Sequence, residues 1–218
     1  MSKVIGIIQV KGGAGRSTIA TNLAGILSAE GNRVALIDCD MPQGTSASWA
    51  SIRLANSPGC LTVATAANHQ ELVAEVKRLD AEHDYLVLDG PPRIAEMTRA
   101  ALILSHLCLI PLSASAAEIW ATSDLLTTIK EAKAVKPSVD ARILWTRFRG
   151  STKSAHELSA AAHDELGLRE LKSRLGYRVA FSEALARGLT VTEWPERVAG
   201  LEMQVCKDEV TQILRGKK

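Results

Sequence analysis

The chain has 218 residues and a mass of 23.4 kDa, room for one domain with a substantial core. Hydrophobic residues make up 46% and charged residues 23%, which excludes a disordered or collagen-like chain; aromatic residues are 4%, so the core is aliphatic and a base-stacking platform is disfavoured. The formal net charge is only +2, split as −1 over the first 109 residues and +3 over the rest, so a strongly basic coat is excluded and a basic patch belongs to the C-terminal half.

Strand-length apolar runs alternate with helix-period segments. Val4–Val10 reads as a strand, and Ser17–Glu30 as a helix with Ile19, Leu23, Ile26 and Leu27 on one face and Gly31 at its end. Arg33–Ile37 and the weaker Leu61–Thr65 are strands, and Glu71–Leu79 a helix. Tyr85–Leu88 and Leu107–Leu112 are apolar throughout, as strands buried on both faces are. Ala116–Val135 is a long helix closed by Lys136-Pro137, Ala141–Thr146 a strand, Ser154–Leu166 a helix, and Leu168–Leu175 an edge strand. Val179–Arg187 and Glu196–Leu214 read as helices. The pattern predicts one α/β domain over residues 1–218: a doubly wound, mainly parallel sheet with helices on both faces.

Four cysteines (Cys39, Cys60, Cys108, Cys206) lack metal or disulfide spacing and read as reduced, mostly buried thiols. The first residues lack a leader's cleavage site. The apolar stretch Ala100–Ala117 is interrupted by His106, Pro111 and serines, which fits a helix end and a buried strand better than a membrane span. A cytoplasmic protein is the expectation.

Lys11-Gly12-Gly13-Ala14-Gly15-Arg16-Ser17-Thr18 stands between the first strand and the first helix, the context a phosphate-binding loop requires. Glycines let successive N–H groups turn inward on phosphate oxygens, the helix N-terminus adds partial positive charge, and the Ser17 hydroxyl is placed for Mg²⁺. Arg16 occupies the position where the common form has lysine. It keeps the charge but offers a planar fork instead of a point charge. We expect nucleotide binding to survive this and hydrolysis to be slower than with lysine.

These residues resemble the deviant Walker A motif of the ParA/MinD ATPases, whose signature is the early lysine, here Lys11. Asp38-Cys39-Asp40-Met41-Pro42-Gln43 is similar to the family's Asp-x-Asp-Pro-Gln switch with one extra residue before the proline. Tyr85–Asp89 followed by Gly90-Pro91-Pro92 resembles the Walker B strand and its loop. Leu175–Trp194 resembles the C-terminal segment of the small plasmid-partition ParA proteins, a subclass without an N-terminal DNA-reading domain.

The resemblance implies a P-loop ATPase with ATP and Mg²⁺ as cofactors. Lys11 and Arg16 supply positive charge to the phosphates, Lys11 across a dimer interface, and Asp40 orients the attacking water. Gly12, Gly13, Ala14, Gly15, Ser17 and Thr18 cradle nucleotide, Arg147 lies near the adenine, and Ser17, Asp38 and Asp89 serve the metal. For each carboxylate the plainer alternative is a loop or helix cap. Lys172, Arg174, Arg178, Arg187, Arg197, Lys207 and Arg215, with Lys217 and Lys218 beyond them, correspond to the region where ParA relatives bind non-specific DNA, and DNA binding is the expectation; the plainer alternative, given seven interleaved acids, is a solvated face.

The function so implied is an ATP-dependent sandwich dimer on nucleoid DNA that positions a cargo such as a plasmid, its hydrolysis stimulated by a ParB-like partner. The alternatives are a MinD-like membrane-associated ATPase and a metabolic enzyme of the dethiobiotin synthetase type. A scaffold that binds nucleotide without hydrolysing it is a further one, motivated by Arg16. The apolar residues Val198, Leu201, Val205, Val210, Ile213 and Leu214 are expected to pack on the domain, so no stable membrane association is expected.

Overall fold

The computed structural model describes residues 1–41, 43–56, 61–91, 95–148, 157, 160 and 165–216. Seven strands form one sheet: β1 (Lys3–Ile7), β2 (Val34–Asp38), β3 (Leu61–Thr65), β4 (Tyr85–Asp89), β5 (Leu107–Ser113), β6 (Ala141–Phe148) and β7 (Arg169–Gly176). Their order is β3-β2-β4-β1-β5-β6-β7, and every neighbouring pair is parallel. The edge position expected for the last strand is the one it holds. The helices are α1 (Arg16–Ala29), α2 (Thr45–Asn56), α3 (His69–Leu79), α4 (Ala95–Leu104), α5 (Ala116–Val135), α6 (Ala180–Leu185) and α7 (Arg197–Arg215).

Strand periodicity divides the apolar side chains between two cores. Val4, Ala35, Ile37, Leu86 and Leu88 face one side, where Leu72, Met97, Leu125 and Ile129 of α3, α4 and α5 cover them. Ile5, Ile7, Val34, Leu36 and Val87 face the other, under Leu23, Trp49, Met203 and Val210 of α1, α2 and α7. The chain leaves the sheet after Ile7, earlier than Val10, because the residues beyond turn into the glycine loop: Gln9 Oε1 already accepts from the Val10 N–H at 2.9 Å. Helix α3 starts on a capping box, in which Asn68 accepts from the Glu71 N–H and Glu71 accepts from the Ala67 N–H.

The helix expected over Ser154–Leu166 falls largely outside the described residues, as do Pro42, Cys60, Pro92, Lys217 and Lys218. Cys39, Cys108 and Cys206 are buried. The apolar residues of α7 do not all pack on the domain. Val210 and Leu214 are buried, but Val198, Leu201 and Val205 are 48%, 65% and 56% exposed. The inner face is instead completed by Ala199, Met203 and Cys206, small or flexible residues at helical spacing whose stripe runs beside the exposed one. Among the described residues no helix is long and apolar enough to cross a membrane.

Candidate functional site

The strand order reverses around β1, and the crevice beyond the strands' carboxyl ends is where open α/β sheets bind ligands. The glycine loop fills this crevice. Gly13 and Gly15 have φ of +76° and +95°, in the left-handed region that a side chain resists. A Cβ added at Gly12, Gly13 or Gly15 would meet nothing within 4 Å, so the backbone borders open space. Gly15 caps α1 without any side-chain hydrogen bond, and the first turn carries no acidic residue. The positive end of the helix is thus left for an anion from outside.

A cavity of about 430 Å³ lies over the loop, lined among others by Gly12, Gly13, Ser17, Thr18, Asp40 and Arg147. Gln43 and Thr45, at the start of α2, also face it. A second cavity of about 290 Å³ adjoins, bounded by Ala14, Thr18, Thr146, Arg147, Tyr177 and Phe181. Arg147 borders both and has φ +50°, a strained backbone for a side-chain residue. The Thr146 hydroxyl donates to the Ala14 carbonyl at 3.4 Å, tying β6 to the loop.

Asp38 and Asp89 end neighbouring strands in direct register and are fully buried. Asp38 accepts from the Asp40 N–H at 3.0 Å through one oxygen and the Ala47 N–H at 2.9 Å through the other. It therefore brackets the loop into α2, as a structural carboxylate does. Asp89 Oδ2 accepts from the Ser46 hydroxyl at 2.7 Å, while its buried Oδ1 has no hydrogen-bond partner among the described residues. Burial raises this carboxyl's pKa to about 7; the Ser46 and Ser17 hydroxyls pull it down, Asp38 pushes it up and Arg16 opposes that. Burial also raises the neighbouring Cys39 thiol, helped by Asp89, Asp38 and Asp40, so this cysteine stays protonated.

An orphaned carboxylate oxygen beside a serine hydroxyl is the donor set of a cation that keeps several waters, and Mg²⁺ is such a cation. Among the described residues no group of three or more His, Cys, Asp or Glu could hold a metal.

Arg16 is 6% exposed. Its Nε donates to the Gly90 carbonyl at 2.9 Å, and its Nη1 to the carbonyls of Gln9 and Lys11 at 2.8 Å each. Nη2 meets Asp40 Oδ2 at 3.1 Å. The guanidinium is thus held by protein acceptors on three loops. Lys11 is 40% exposed and its ammonium lies 3.8 Å from Glu118 of α5. It is not among the residues lining the phosphate cavity.

The late basic residues divide. Lys172, Arg187, Arg197 and Arg215 are exposed. Arg187 stacks over Trp194 at 4.7 Å, and Arg174 over Phe148 at 4.4 Å with Glu170 nearby. Arg178 is gripped by Glu202 and Glu196. Lys207 is 5% exposed and paired with Glu30 and Asp208, so its charge is consumed inside the fold. It lies on the inner face of α7, which a count of basic residues along the sequence does not see. Gln43 belongs to the segment similar to the family's switch, whereas Ser46 and Thr45 carry no signal of their own in the sequence. Their places follow from Asp38 fixing the start of α2.

Fold and site together define a P-loop nucleotide-binding protein of the doubly wound α/β class. The CobQ/CobB/MinD/ParA nucleotide binding domain matches residues 5–191, and the chain belongs to that family. It is 26% identical over 211 residues to the maintenance of carboxysome distribution protein A of Halothiobacillus neapolitanus, covering 96% of this chain and 94% of that protein. It is 27% identical to the chromosome-partitioning ATPase Soj of Thermus thermophilus, covering 87% of each. The apo structure of McdA from Cyanothece superposes with a TM-score of 0.80 at 18% identity, covering 96% of this chain and all of that one. Among such relatives are proteins named for distributing carboxysomes and partitioning chromosomes.

Proposed function

We propose that the protein is an ATPase switch of the ParA type that positions a large intracellular cargo. ATP with Mg²⁺ occupies the crevice: the triphosphate sits on the Gly12–Thr18 backbone and the base in the adjoining cavity beside Thr146 and Arg147. Ser17 ligates the metal, and Asp89 and Asp38 hold its waters. Asp40 orients the attacking water once Arg16 no longer holds it.

One observation carries the switch. Lys11 does not line the cavity over the glycine loop, its side chain is 40% exposed, and among the described residues its ammonium has one long contact, 3.8 Å to Glu118. A cation so placed is available to a second copy. ATP then favours a sandwich dimer, and hydrolysis dissolves it. The dimer holds nucleoid DNA through exposed cations of the C-terminal half, of which Lys172, Arg187, Arg197 and Arg215 remain accessible. A ParB-like or other adaptor stimulates hydrolysis and releases the protein locally. The relatives named for carboxysome distribution and chromosome partitioning support this reading.

Sedimentation with ATP, ADP or no nucleotide tests the dimer. Dimers with ATP alone, lost in Lys11→Ala while ATP still binds, are expected; ATP binding without self-association would refute the switch. Trp120, 65% exposed on the same helix as Glu118, offers a fluorescence readout of the same event.

The exposed stripe Val198, Leu201 and Val205 is the observation on the side of a membrane-associated alternative. Its neighbours Glu202, Asp208 and Glu209 are acidic, which suits an anionic lipid surface poorly. Flotation with anionic vesicles separates the two readings.

A further inference from the structure

The Arg16 guanidinium is held on three loops, by three carbonyls and one carboxylate. Four of its five N–H groups have protein acceptors: the carbonyls of Gln9, Lys11 and Gly90 and the Asp40 carboxylate. The three carbonyls come from the segments that follow β1 and β4 and fix the plane of the guanidinium. Arg16 and Asp40, joined through Nη2, both line the cavity that Gly13, Ser17 and Thr18 border. Asp40 is 15% exposed at that cavity, so its bond to Arg16 is the part of the network that an incoming anion can reach.

We propose that Asp40 is an internal competitor for phosphate: the terminal phosphates of a bound nucleotide take over the Nη2 edge of Arg16 and displace Asp40 from it. This rests on the nucleotide-binding reading above and adds a regulation to it. Arg16 is then a positioning residue with two states. Without nucleotide it withholds the carboxylate proposed to orient water. With nucleotide it releases that carboxylate beside the phosphate, so the substrate assembles the hydrolytic arrangement. A lysine would not divide its contacts in this way. Its donors leave one nitrogen, whereas the guanidinium keeps three bonds to the loops while its fourth changes partner.

The competition has a cost in affinity, and that cost is measurable without turnover. Pyrophosphate and ADP are the probes, because neither is hydrolysed by this chemistry and trapping of ATP is avoided. Titration calorimetry on Asp40→Asn and Asp40→Ala should show both probes binding about tenfold more tightly than to the unaltered protein, the equivalent of one charge-assisted hydrogen bond no longer forfeited. Loss of general repulsion would also tighten binding, so a second readout is needed. The side-chain ¹⁵N–¹H resonances of Arg16 in the unaltered protein should shift when pyrophosphate saturates the site, with the Nη2 pair moving more than Nε. Unchanged or weaker affinity in both variants overturns the proposal, as do Arg16 resonances that pyrophosphate leaves in place. Failure of the unaltered protein to bind either probe, with ATP also tested, overturns the nucleotide reading itself.

Discussion

Replacing Arg16 by lysine restores the residue that the common phosphate loop carries, yet the structure predicts that it weakens this protein. Arginine spans the carbonyls of Gly90, Gln9 and Lys11 and the Asp40 carboxylate from three separate nitrogens. A lysine ammonium donates from a single atom and cannot span acceptors on three loops. If it keeps Asp40 and one carbonyl, two carbonyls lose their charged donor. At about 1–1.5 kcal/mol net for each bond, the loss is about 2–3 kcal/mol. For a chain of this size that corresponds to a fall in Tm of roughly 5–10 °C. Thermal and urea denaturation of nucleotide-free Arg16→Lys, compared at constant urea m-value, measures it. An unchanged melting temperature would mean that the four bonds do not stabilise the crevice and would refute the reasoning.

Asp89 sets a pH dependence. Its carboxyl holds a proton up to about pH 7 in the folded protein but only to about pH 4 when unfolded, so the folded state is favoured at low pH and loses that advantage as pH rises between the two values. Nucleotide-free and metal-free protein should lose up to about 4 kcal/mol across this window, and Asp89→Asn should flatten the profile; an equal slope in the variant would count against a raised carboxyl. The basic residues should separate by readout. Lys207→Ala should lower stability by about 1–2 kcal/mol by stripping Glu30 and Asp208 of their partner, seen in urea denaturation, without changing the salt slope of DNA binding. Lys172→Ala and Arg197→Ala should leave stability within about 0.5 kcal/mol and each lower the salt slope of DNA binding by about one.

The strands and most helices were legible because each carries a period: continuous apolar runs for a sheet buried on both faces, and apolar spacing for α1, α3 and α5. Helix α2 was not, because Ser46, Trp49 and Ala50 are its buried residues and two of them are small. Its position depends on Asp38 accepting the Ala47 N–H, a contact nine residues distant. The glycine loop was legible down to single residues, since only glycine suits its left-handed turns. The partners of Arg16 were not, because the Gly90 and Asp40 contacts span 74 and 24 residues and form only when β1, β2 and β4 lie side by side. Lys207 was not legible for a related reason: composition reports charge, whereas the fold decides whether that charge faces Glu30 or solvent.

The central claim is a nucleotide-controlled switch that carries its cargo on DNA. Binding to random-sequence duplex DNA with ATP, ADP or no nucleotide, each at two salt concentrations, tests it most directly. The account predicts tight binding with ATP alone, weakening steeply as salt rises. Protein that binds ATP and forms no complex with DNA under any of these conditions would contradict it.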